Sequence, residues 1–270
     1  MSLTPVWLDG ELRPAEDRAL SPFDRGFTLA DGVFETLRAR AQAPLWLEDH
    51  LARLRGGAAV LGIPVPLGDD AIARGLVELL EAGGHPASAV RLTLSRGPSE
   101  KRGLWPPTTP PRPTLLATVA PLPPARAALK LAVAESTRRN EHSPLARIKS
   151  LNYGDNLIAR READARGMDD ALMMNSRGRI VCATVGNLFV RLSGRWRTAP
   201  IAEGALPGLA RARLVKLLDA EETAIARADL ARVQAGFLSN SLSLTAIREI
   251  DGRALEDASA ALEALALFAT

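Results

Sequence analysis

The stretch "RIKSLNYGDNLIARREA", residues 147–163, places Lys149 directly after the apolar Ile148 and shortly before a predicted helix. Asp155 is a typical helix cap, and the helix is expected to run to Gly167. Loss of water weakens a lysine's preference for the charged form, so a buried amine can act as a nucleophile or base near neutral pH. A packed stem with a solvated ammonium group is the more common arrangement for lysine. The rest of the sequence has to decide between these two interpretations.

The bulk composition indicates an ordinary globular protein. The chain has 270 residues, of which 47% are hydrophobic and 24% charged, enough for one large or two modest domains with a sizeable core. The N-terminus lacks the basic-then-apolar layout of a signal peptide, and no apolar run approaches membrane-spanning length. The single cysteine, Cys182, excludes an internal disulfide framework and is typical of a reducing compartment. We therefore expect a cytoplasmic location and no membrane partner.

The charge pattern argues against a nucleic-acid partner. The 34 basic residues are interleaved with 31 acidic ones, and aromatic residues make up only 4% of the chain, too few for a base-stacking platform. The arginines are better suited to small phosphorylated or carboxylated ligands. The three histidines are far apart in sequence and have no cysteine nearby, so no metal site is expected.

The order of predicted elements indicates two α+β domains, each an antiparallel-rich sheet covered by helices. We expect a small N-terminal domain at residues 1–120, a linker at 121–127, and a larger C-terminal domain at 128–270 that carries Lys149. The linker is placed there because residues 105–124 contain eight prolines, a density that excludes regular structure over most of the stretch.

The local patterns predict individual helices and strands. They indicate a hairpin that turns at Asp9-Gly10, helices within 45–63, 69–84, 208–220 and 228–235, and strands within 89–97, 113–120, 129–137 and 236–252. A three-stranded meander with turns at 175–178 and 193–194 is predicted over 170–200.

Four further segments carry polar groups at strand ends or helix starts, where ligand sites are often built. "SPFDRGFTLADGVFETLRA" (21–39) surrounds two glycines with acidic and basic residues, for which an Asp24–Arg25 salt bridge is the structural alternative. "HLARL" (50–54) puts His50 and Arg53 one helical turn apart, on a solvated helix face in the alternative interpretation. "LPGLARARL" (206–214) starts a helix whose free N–H groups suit a phosphate or form a plain cap. "FLSNSLSL" (237–244) clusters hydroxyl groups.

Taken in this order, these segments and "GNLFV" (186–190) resemble the fold-type IV (class IV) pyridoxal-phosphate enzymes. This group contains the branched-chain and D-amino acid aminotransferases and 4-amino-4-deoxychorismate lyase. The resemblance covers the chain from "WLDGEL" to "IREIDG". It implies the two-domain fold of that family and pyridoxal 5'-phosphate as cofactor, and it makes Lys149 the lysine that forms the Schiff base. It also implies a homodimer, with Leu104 and residues 105–113 near the partner subunit.

The resemblance assigns further roles residue by residue. The cofactor-binding residues are expected to be Arg53, Gly208, Leu209, Ala210 and Ser241 at the phosphate, Tyr153 at the phenolic oxygen, and Cys182 at the position that faces the pyridine nitrogen. Phe34, Arg102 and Asn240 are expected to bind substrate.

Two details favour the lyase, which converts 4-amino-4-deoxychorismate to p-aminobenzoate and pyruvate. Thr36 falls where the lyases have a threonine that protonates the departing pyruvate unit, and we therefore count it as catalytic. Arg102 is followed by Gly103 and Leu104, whereas D-amino acid aminotransferases have Arg-x-His in this region. An aminotransferase for D-amino or branched-chain amino acids is the alternative, and a non-catalytic phosphate-binding protein is a further one.

The chain departs from the family pattern at two positions. Ala30 replaces the first glycine of the usual Gly-Asp-Gly, so the turn there has to tolerate a side chain. Cys182 stands five residues before Asn187, where relatives have a glutamate that pairs with the pyridine nitrogen. The expected carboxylate is therefore missing.

Overall fold

The computed structural model describes residues 5–15, 20–99, 103–104, 112–265 and 267–268. The chain divides into two compact units. The first unit contains Met1–Pro123 and Ile148–Asn152, and the second contains Pro124–Arg147 and Tyr153–Thr270. Each unit combines a largely antiparallel sheet with helices, which confirms the predicted α+β class.

The first unit is built on a six-stranded, wholly antiparallel sheet with the order β2-β1-β6-β5-β3-β4. Its elements are β1 (Pro5–Leu8), β2 (Glu11–Pro14), α1 (Arg25–Leu29), β3 (Gly32–Arg40), β4 (Ala43–Pro44), α2 (Leu47–Leu61), α3 (Asp69–Gly83), β5 (Ala87–Ser95) and β6 (Thr114–Pro121). The predicted hairpin joins β1 to β2 through Asp9 and Gly10, both with positive φ.

Helices α2 and α3 cover one face of this sheet. Gly57 of α2 lies against Val33 of β3, and Gly75 of α3 lies against the ring of Trp7, where a Cβ atom would come within 2.1 Å of the indole. The apolar spacing of α2 buries Leu51 and Leu54 on this side, as the sequence predicts. The opposite face of the sheet therefore carries the side chains that α2 and α3 do not cover.

The second unit is built on a ten-stranded mixed sheet, in which β7 pairs in parallel with β8 and β15 while most other pairs are antiparallel. Its elements are β7 (Leu129–Val133), α4 (Gly154–Ala165), β8 (Asp170–Met174), β9 (Arg179–Ala183), β10 (Asn187–Leu192), β11 (Arg195–Thr198), α5 (Leu209–Leu217), β12 (Glu221–Glu222), β13 (Ile225–Ala226), β14 (Ala235–Ser239), β15 (Leu244–Ile250), β16 (Arg253–Ala254) and α6 (Ser259–Ala264), with 3-10 turns at Pro144–Arg147, Ile201–Glu203 and Arg227–Arg232.

The sequence predicts a three-stranded meander over 170–200, but the structure has four strands there, β8 to β11. Strand β9 ends at Ala183 and β10 begins at Asn187, with a turn over Thr184–Gly186 between them. Ala183 N donates to Gly186 O and closes this turn, and Asn156 Nδ2 donates to Thr184 O at 2.6 Å. The helix predicted over 228–235 is a 3-10 turn, Arg227–Arg232.

The predicted cap Asp155 lies inside the first turn of α4, and Tyr153 occupies the cap position. The carboxylate of Asp155 accepts a hydrogen bond from Thr137 Oγ1 instead.

The segment that contains Lys149 belongs to the first unit, whereas the sequence placed it in the C-terminal domain. The reason is backbone pairing: Phe34 N donates to Lys149 O, and Leu151 N donates to Gly32 O, both at 2.9 Å. Strand β6 also extends to Pro121, the first residue of the expected linker. No helix in the described part of the chain is long and apolar enough to cross a membrane, and the cytoplasmic location stays a prediction.

Candidate active site

Lys149 lies against an aromatic ring on the open face of the first unit's sheet. Its segment pairs antiparallel with the start of β3 through the Val33–Ser150 bridge, which sets Lys149 opposite Phe34. Directly opposed residues point to the same face, and Lys149 Nζ lies 4.1 Å from the centre of the Phe34 ring. Lys149 is half-buried and its head rests on Phe34, so it is neither fully buried nor a simple solvated strand-end lysine.

The same face carries Thr36, two residues along β3 from Phe34. Thr36 is half-buried and stands opposite Arg91 of β5. The Arg91 guanidinium carbon lies 3.7 Å from the centre of the Phe34 ring. Two predicted catalytic residues, Lys149 and Thr36, therefore flank one predicted substrate residue on a single sheet face. Arg91 is an addition that sequence reasoning did not single out.

On the helix-covered face, Glu35 ties together His50 and Arg53. Glu35 is fully buried, His50 is 1% exposed, and the Arg53 side chain is 11% exposed. Burial alone would raise the pKa of Glu35, but the bonds from Arg53 and His50 hold it below its usual value. The prediction that His50 and Arg53 share one helix face is confirmed. The alternative of a solvated helix face is wrong, because both side chains bond to the buried carboxylate of Glu35.

The loop before β3 is organised by Asp31, which pairs with Arg25 and Arg96. Arg25 Nε and Arg96 Nε donate to Asp31 Oδ2 at 2.8 and 2.7 Å. Burial would raise the pKa of Asp31, but the two guanidinium groups lower it. The Asp24–Arg25 salt bridge considered from the sequence is not the pairing found, because Arg25 reaches Asp31 and Asp24 serves as the cap of α1.

In the second unit, the start of α5 offers backbone N–H groups. Gly208 occupies the cap position, and no side chain among the described residues caps the helix, so Leu209 and Ala210 begin an open N-terminus. A Cβ atom on Gly208 would lie 2.1 Å from Asn187 Oδ1, so only glycine fits there. Asn187 in turn donates to Leu206 O at 3.0 Å and holds the turn in place. This arrangement suits a phosphate group.

Cys182 lies in β9 and is 7% exposed. Burial raises the pKa of its thiol, against a smaller opposing effect of the Arg139 guanidinium. Arg139 itself donates to the neutral carbonyl oxygens of Gly204 and Ala146. Cys182 also pairs with Asn187 across the β9–β10 break, which places it in the same unit and next to the strand that supports the α5 turn.

The remaining predicted residues of the second unit lie at turns. Ser241 is half-buried between β14 and β15. The neighbouring Asn240 uses its Oδ1 to accept from the backbone N–H groups of Leu242 and Ser243, which gives this side chain a structural role in the turn. Tyr153 is half-buried at the start of α4.

One predicted substrate residue, Arg102, lies outside the described residues, as do residues 105–111 of the expected partner contact. Leu104 is described and is 83% exposed, and its carbonyl oxygen accepts a hydrogen bond from Arg25 Nη2 at 2.8 Å.

Each unit by itself therefore supplies groups that fit pyridoxal phosphate. The first supplies an amine, Lys149, and an oriented guanidinium, Arg53. The second supplies the N-terminus of α5, where a side chain at Gly208 would collide with Asn187 Oδ1. Among the residues that the structure describes, no cluster of His, Cys, Asp and Glu side chains could hold a metal ion.

Comparison with known proteins gives consistent matches along the chain. The sequence profile of the family described as Amino-transferase class IV matches residues 32–250. A putative branched-chain-amino-acid aminotransferase of Methanocaldococcus jannaschii is 29% identical over 260 residues, which cover 93% of this chain and 90% of that protein.

Proteins named as lyases also match. Aminodeoxychorismate lyase of Bacillus subtilis is 29% identical over 214 residues, or 78% of this chain and 72% of that protein. The crystal structure of 4-amino-4-deoxychorismate lyase from Pseudomonas aeruginosa matches with a TM-score of 0.82 at 30% identity, covering 97% of both chains.

Proposed function

This chain belongs to the class IV aminotransferase family, and from that premise we propose that its main reaction is that of aminodeoxychorismate lyase. Enzymes of this family use pyridoxal phosphate. The proposal is that 4-amino-4-deoxychorismate is converted to p-aminobenzoate and pyruvate. The observation that carries it is the placement of Thr36 beside Phe34 on the face that holds Lys149.

Five residues are proposed to hold the cofactor. Arg53 binds the phosphate by charge, and the N–H groups of Leu209 and Ala210 bind it at the start of α5, with Ser241 adding a hydroxyl. Tyr153 binds the phenolic oxygen. When bound, the cofactor supplies an aldehyde that condenses with amines and a conjugated ring that takes up electrons.

Two side chains of the first unit are proposed to move protons. Lys149 Nζ takes the proton from the carbon that bears the substrate amine. The hydroxyl of Thr36 gives a proton to the methylene carbon of the departing unit while the bond between the ring carbon and the ether oxygen breaks, so that pyruvate leaves with a neutral keto group and not as an enolate. The proton that Lys149 has taken then restores the Thr36 hydroxyl. Phe34 lies beside both residues, and before the cofactor binds its ring lies 4.1 Å from Lys149 Nζ.

An aminotransferase for D-amino or branched-chain amino acids is the second candidate. It is supported by the 29% identical relative from Methanocaldococcus jannaschii, which aligns over 93% of this chain. The requirement for Thr36 distinguishes the two candidate activities. The lyase reaction needs an acid that protonates the departing carbon unit, whereas transfer of an amino group releases no such unit.

The deciding experiment is a parallel assay on the purified protein. It measures p-aminobenzoate and pyruvate formed from aminodeoxychorismate, and 2-oxo acids formed from D- and L-amino acids with a 2-oxo acid acceptor. We expect the lyase products to dominate. Thr36→Val should suppress them, while the neighbouring surface variant Arg40→Ala should not. Faster 2-oxo acid formation, unaffected by Thr36→Val, would favour the aminotransferase.

The assignment of Lys149 is tested independently of activity. Borohydride reduction of the holoprotein followed by peptide mapping should place the phosphopyridoxyl label on Lys149. A label on another lysine, or no label on a yellow protein, contradicts the assignment. Lys149→Ala should abolish turnover and keep part of the cofactor affinity through the phosphate contacts.

We also propose that the enzyme is a homodimer. Support comes from Leu104, which is 83% exposed, and from Phe23 and Phe27 in the same unit, which are 67% and 83% exposed. Light scattering should give twice the chain mass of 28.8 kDa. A fully active monomer contradicts this part of the proposal.

A further inference from the structure

The first unit contains a cavity of about 480 Å³. Its walls come from β5, β6, the segment before and within α1, and Leu151. This volume is in the range of small-molecule sites and is larger than any single amino-acid side chain needs. Neither the sequence motifs nor the proposed reaction assigns a role to it.

The register of the sheet shows where this cavity lies relative to the reactive lysine. Lys149 stands opposite Phe34, Phe34 opposite Thr93, and Thr93 opposite Leu116, so these four residues form one row across four strands. Opposed residues share a face, and Thr93 and Leu116 both line the cavity. With strands about 4.8 Å apart, the cavity wall begins roughly 10 Å from the Lys149 backbone.

The next row of the same face forms another part of the wall. Leu151 stands opposite Gly32, Gly32 opposite Ser95, and Ser95 opposite Thr114. Gly32 has no side chain, and a Cβ atom there would lie 2.8 Å from Leu151 Cδ1. The cavity therefore lies on the face of the sheet that carries Lys149 and Phe34.

The carboxylate that lines the cavity already has its hydrogen-bond partners. Asp24, which is 5% exposed, accepts from Ser95 Oγ at 2.9 Å, from Thr114 Oγ1 at 2.8 Å and from Gly26 N at 2.7 Å. Among the lining residues that the structure describes, Asp24 is the only charged one, so a ligand carboxylate would meet like charge there. Most of the remaining wall is apolar and includes Leu116, Leu151 and Phe27, while Ser21 and Thr93 add hydroxyl groups. An uncharged apolar group is what this space accepts.

We propose that this cavity is a subsite for a bulky, uncharged apolar group carried by a primary amine substrate, with Thr93 and Leu116 setting its depth. The inference rests on the proposed role of Lys149 as the amine-exchanging residue. The enzyme accordingly accepts amines with long alkyl or arylalkyl substituents, which bind more tightly than short amines. A terminal carboxylate on the substituent abolishes this increase in affinity.

The test uses the holoenzyme and a series of n-alkylamines from ethylamine to octylamine. Dissociation constants are read from the change in the visible absorption of the bound cofactor. Each added methylene should tighten binding by about fourfold until the cavity is filled, as expected for ~0.8 kcal/mol per buried methylene. 6-Aminohexanoate should bind no better than ethylamine.

Matched threonine variants locate the effect. Thr93→Leu shortens the cavity and should remove the gain for hexylamine and longer amines, while ethylamine binds as before. Thr118→Leu is the control, because Thr118 is equally half-buried on the same face and does not line the cavity. Leu116→Ala enlarges the space and should move the best chain length upward.

The outcomes separate the two levels of the proposal. If ethylamine changes the spectrum but affinity does not increase with chain length, the cavity is not the subsite. The same conclusion follows if affinity increases with chain length in Thr93→Leu as it does in the wild type. If no amine changes the spectrum, the role of Lys149 fails and the subsite fails with it.

Discussion

Glu35 accepts hydrogen bonds from both Nε and Nη2 of Arg53, at 2.8 and 2.6 Å, so one edge of the guanidinium group is fixed by a buried carboxylate. His50 Nδ1 bonds to the same carboxylate at 2.7 Å. A two-point pair of this kind sets the plane of the arginine as well as its position. The proposed phosphate-binding residue is therefore held in one orientation before the cofactor arrives.

Replacing Arg53 with alanine should weaken binding of pyridoxal phosphate tenfold to hundredfold. A charge-assisted bond from a buried arginine contributes about 1.5–3 kcal/mol, and about 1.4 kcal/mol is tenfold. Titration of the cofactor-free protein gives the dissociation constant. Arg55→Ala is the matched control, because Arg55 lies on the same helix and pairs with the exposed Asp69.

Arg53→Gln serves as a second variant, since it leaves a hydrogen-bonding partner for the buried Glu35. If both Arg53 variants fold and bind the cofactor like the wild type, Arg53 is a structural partner of Glu35 and nothing more.

Cys182→Glu should change the electronic state of the bound cofactor. Burial raises the pKa of the Cys182 thiol, so it stays neutral and cannot hold a proton on a ring nitrogen as a carboxylate does. The variant should shift the pH midpoint of the cofactor's visible spectrum upward and speed turnover. Cys182→Ser, also neutral, should change neither. If Cys182→Glu folds and binds cofactor with spectrum and rate unchanged, another group faces the nitrogen.

Glu141 should make the second unit sensitive to acid. Its pKa is lowered to about 2, first by the hydrogen bond from Ser176 Oγ at 2.6 Å. A carboxylate whose folded pKa lies below its unfolded value stabilises the fold above the unfolded value, and this stability is lost as pH falls toward about 2.

The melting temperature of the wild type should therefore fall between pH 5 and pH 2 more steeply than that of Glu141→Gln. Ser176→Ala removes the main cause of the lowered Glu141 pKa, so the loss of stability should occur at higher pH. Parallel curves for all three proteins would show that Glu141 does not contribute.

Ala30→Gly should stabilise the protein by up to about 1 kcal/mol. Ala30 has φ 54 and ψ 28, a left-handed conformation that costs a residue with a Cβ about 1–2 kcal/mol, partly offset by the freedom of glycine in the unfolded chain. Urea unfolding measures the change. Ala71→Gly, inside α3, is the opposite control and should destabilise by about 1 kcal/mol. A loss of stability in Ala30→Gly would contradict the strain argument.

The sequence predicts those parts of the fold that depend on short-range patterns. Apolar spacing and terminal glycines gave α2 and α3, and Asp9-Gly10 gave the first hairpin. The break between β9 and β10 was missed because "IVCATVGNLFVRL" reads as one apolar run. The break depends on a hydrogen bond from Asn156, which is distant in sequence.

For the candidate site, the sequence identifies residue types but not their pairing. The spacing of His50 and Arg53 indicated a shared face, yet their partner Glu35 lies on another element and only the packing of α2 on β3 reveals it. Likewise, the place of Lys149 beside Phe34 follows from strand register, which no local pattern specifies. The sequence does not single out Arg91, because an arginine at an exposed position of an alternating strand is common.

The unit that contains Lys149 is completed by residues synthesised after part of the other unit. Residues 124–147 of the second unit are translated before Ile148–Asn152 can pair with β3. At about 5–20 residues per second, the β3 edge from Gly32 to Phe34 waits roughly 6 to 24 seconds for its partner during synthesis. An unpaired strand edge invites contact with other chains. The ribosome thus delivers Lys149 and the segment that closes this edge in a single late event, so a nascent chain that stops before residue 148 lacks both.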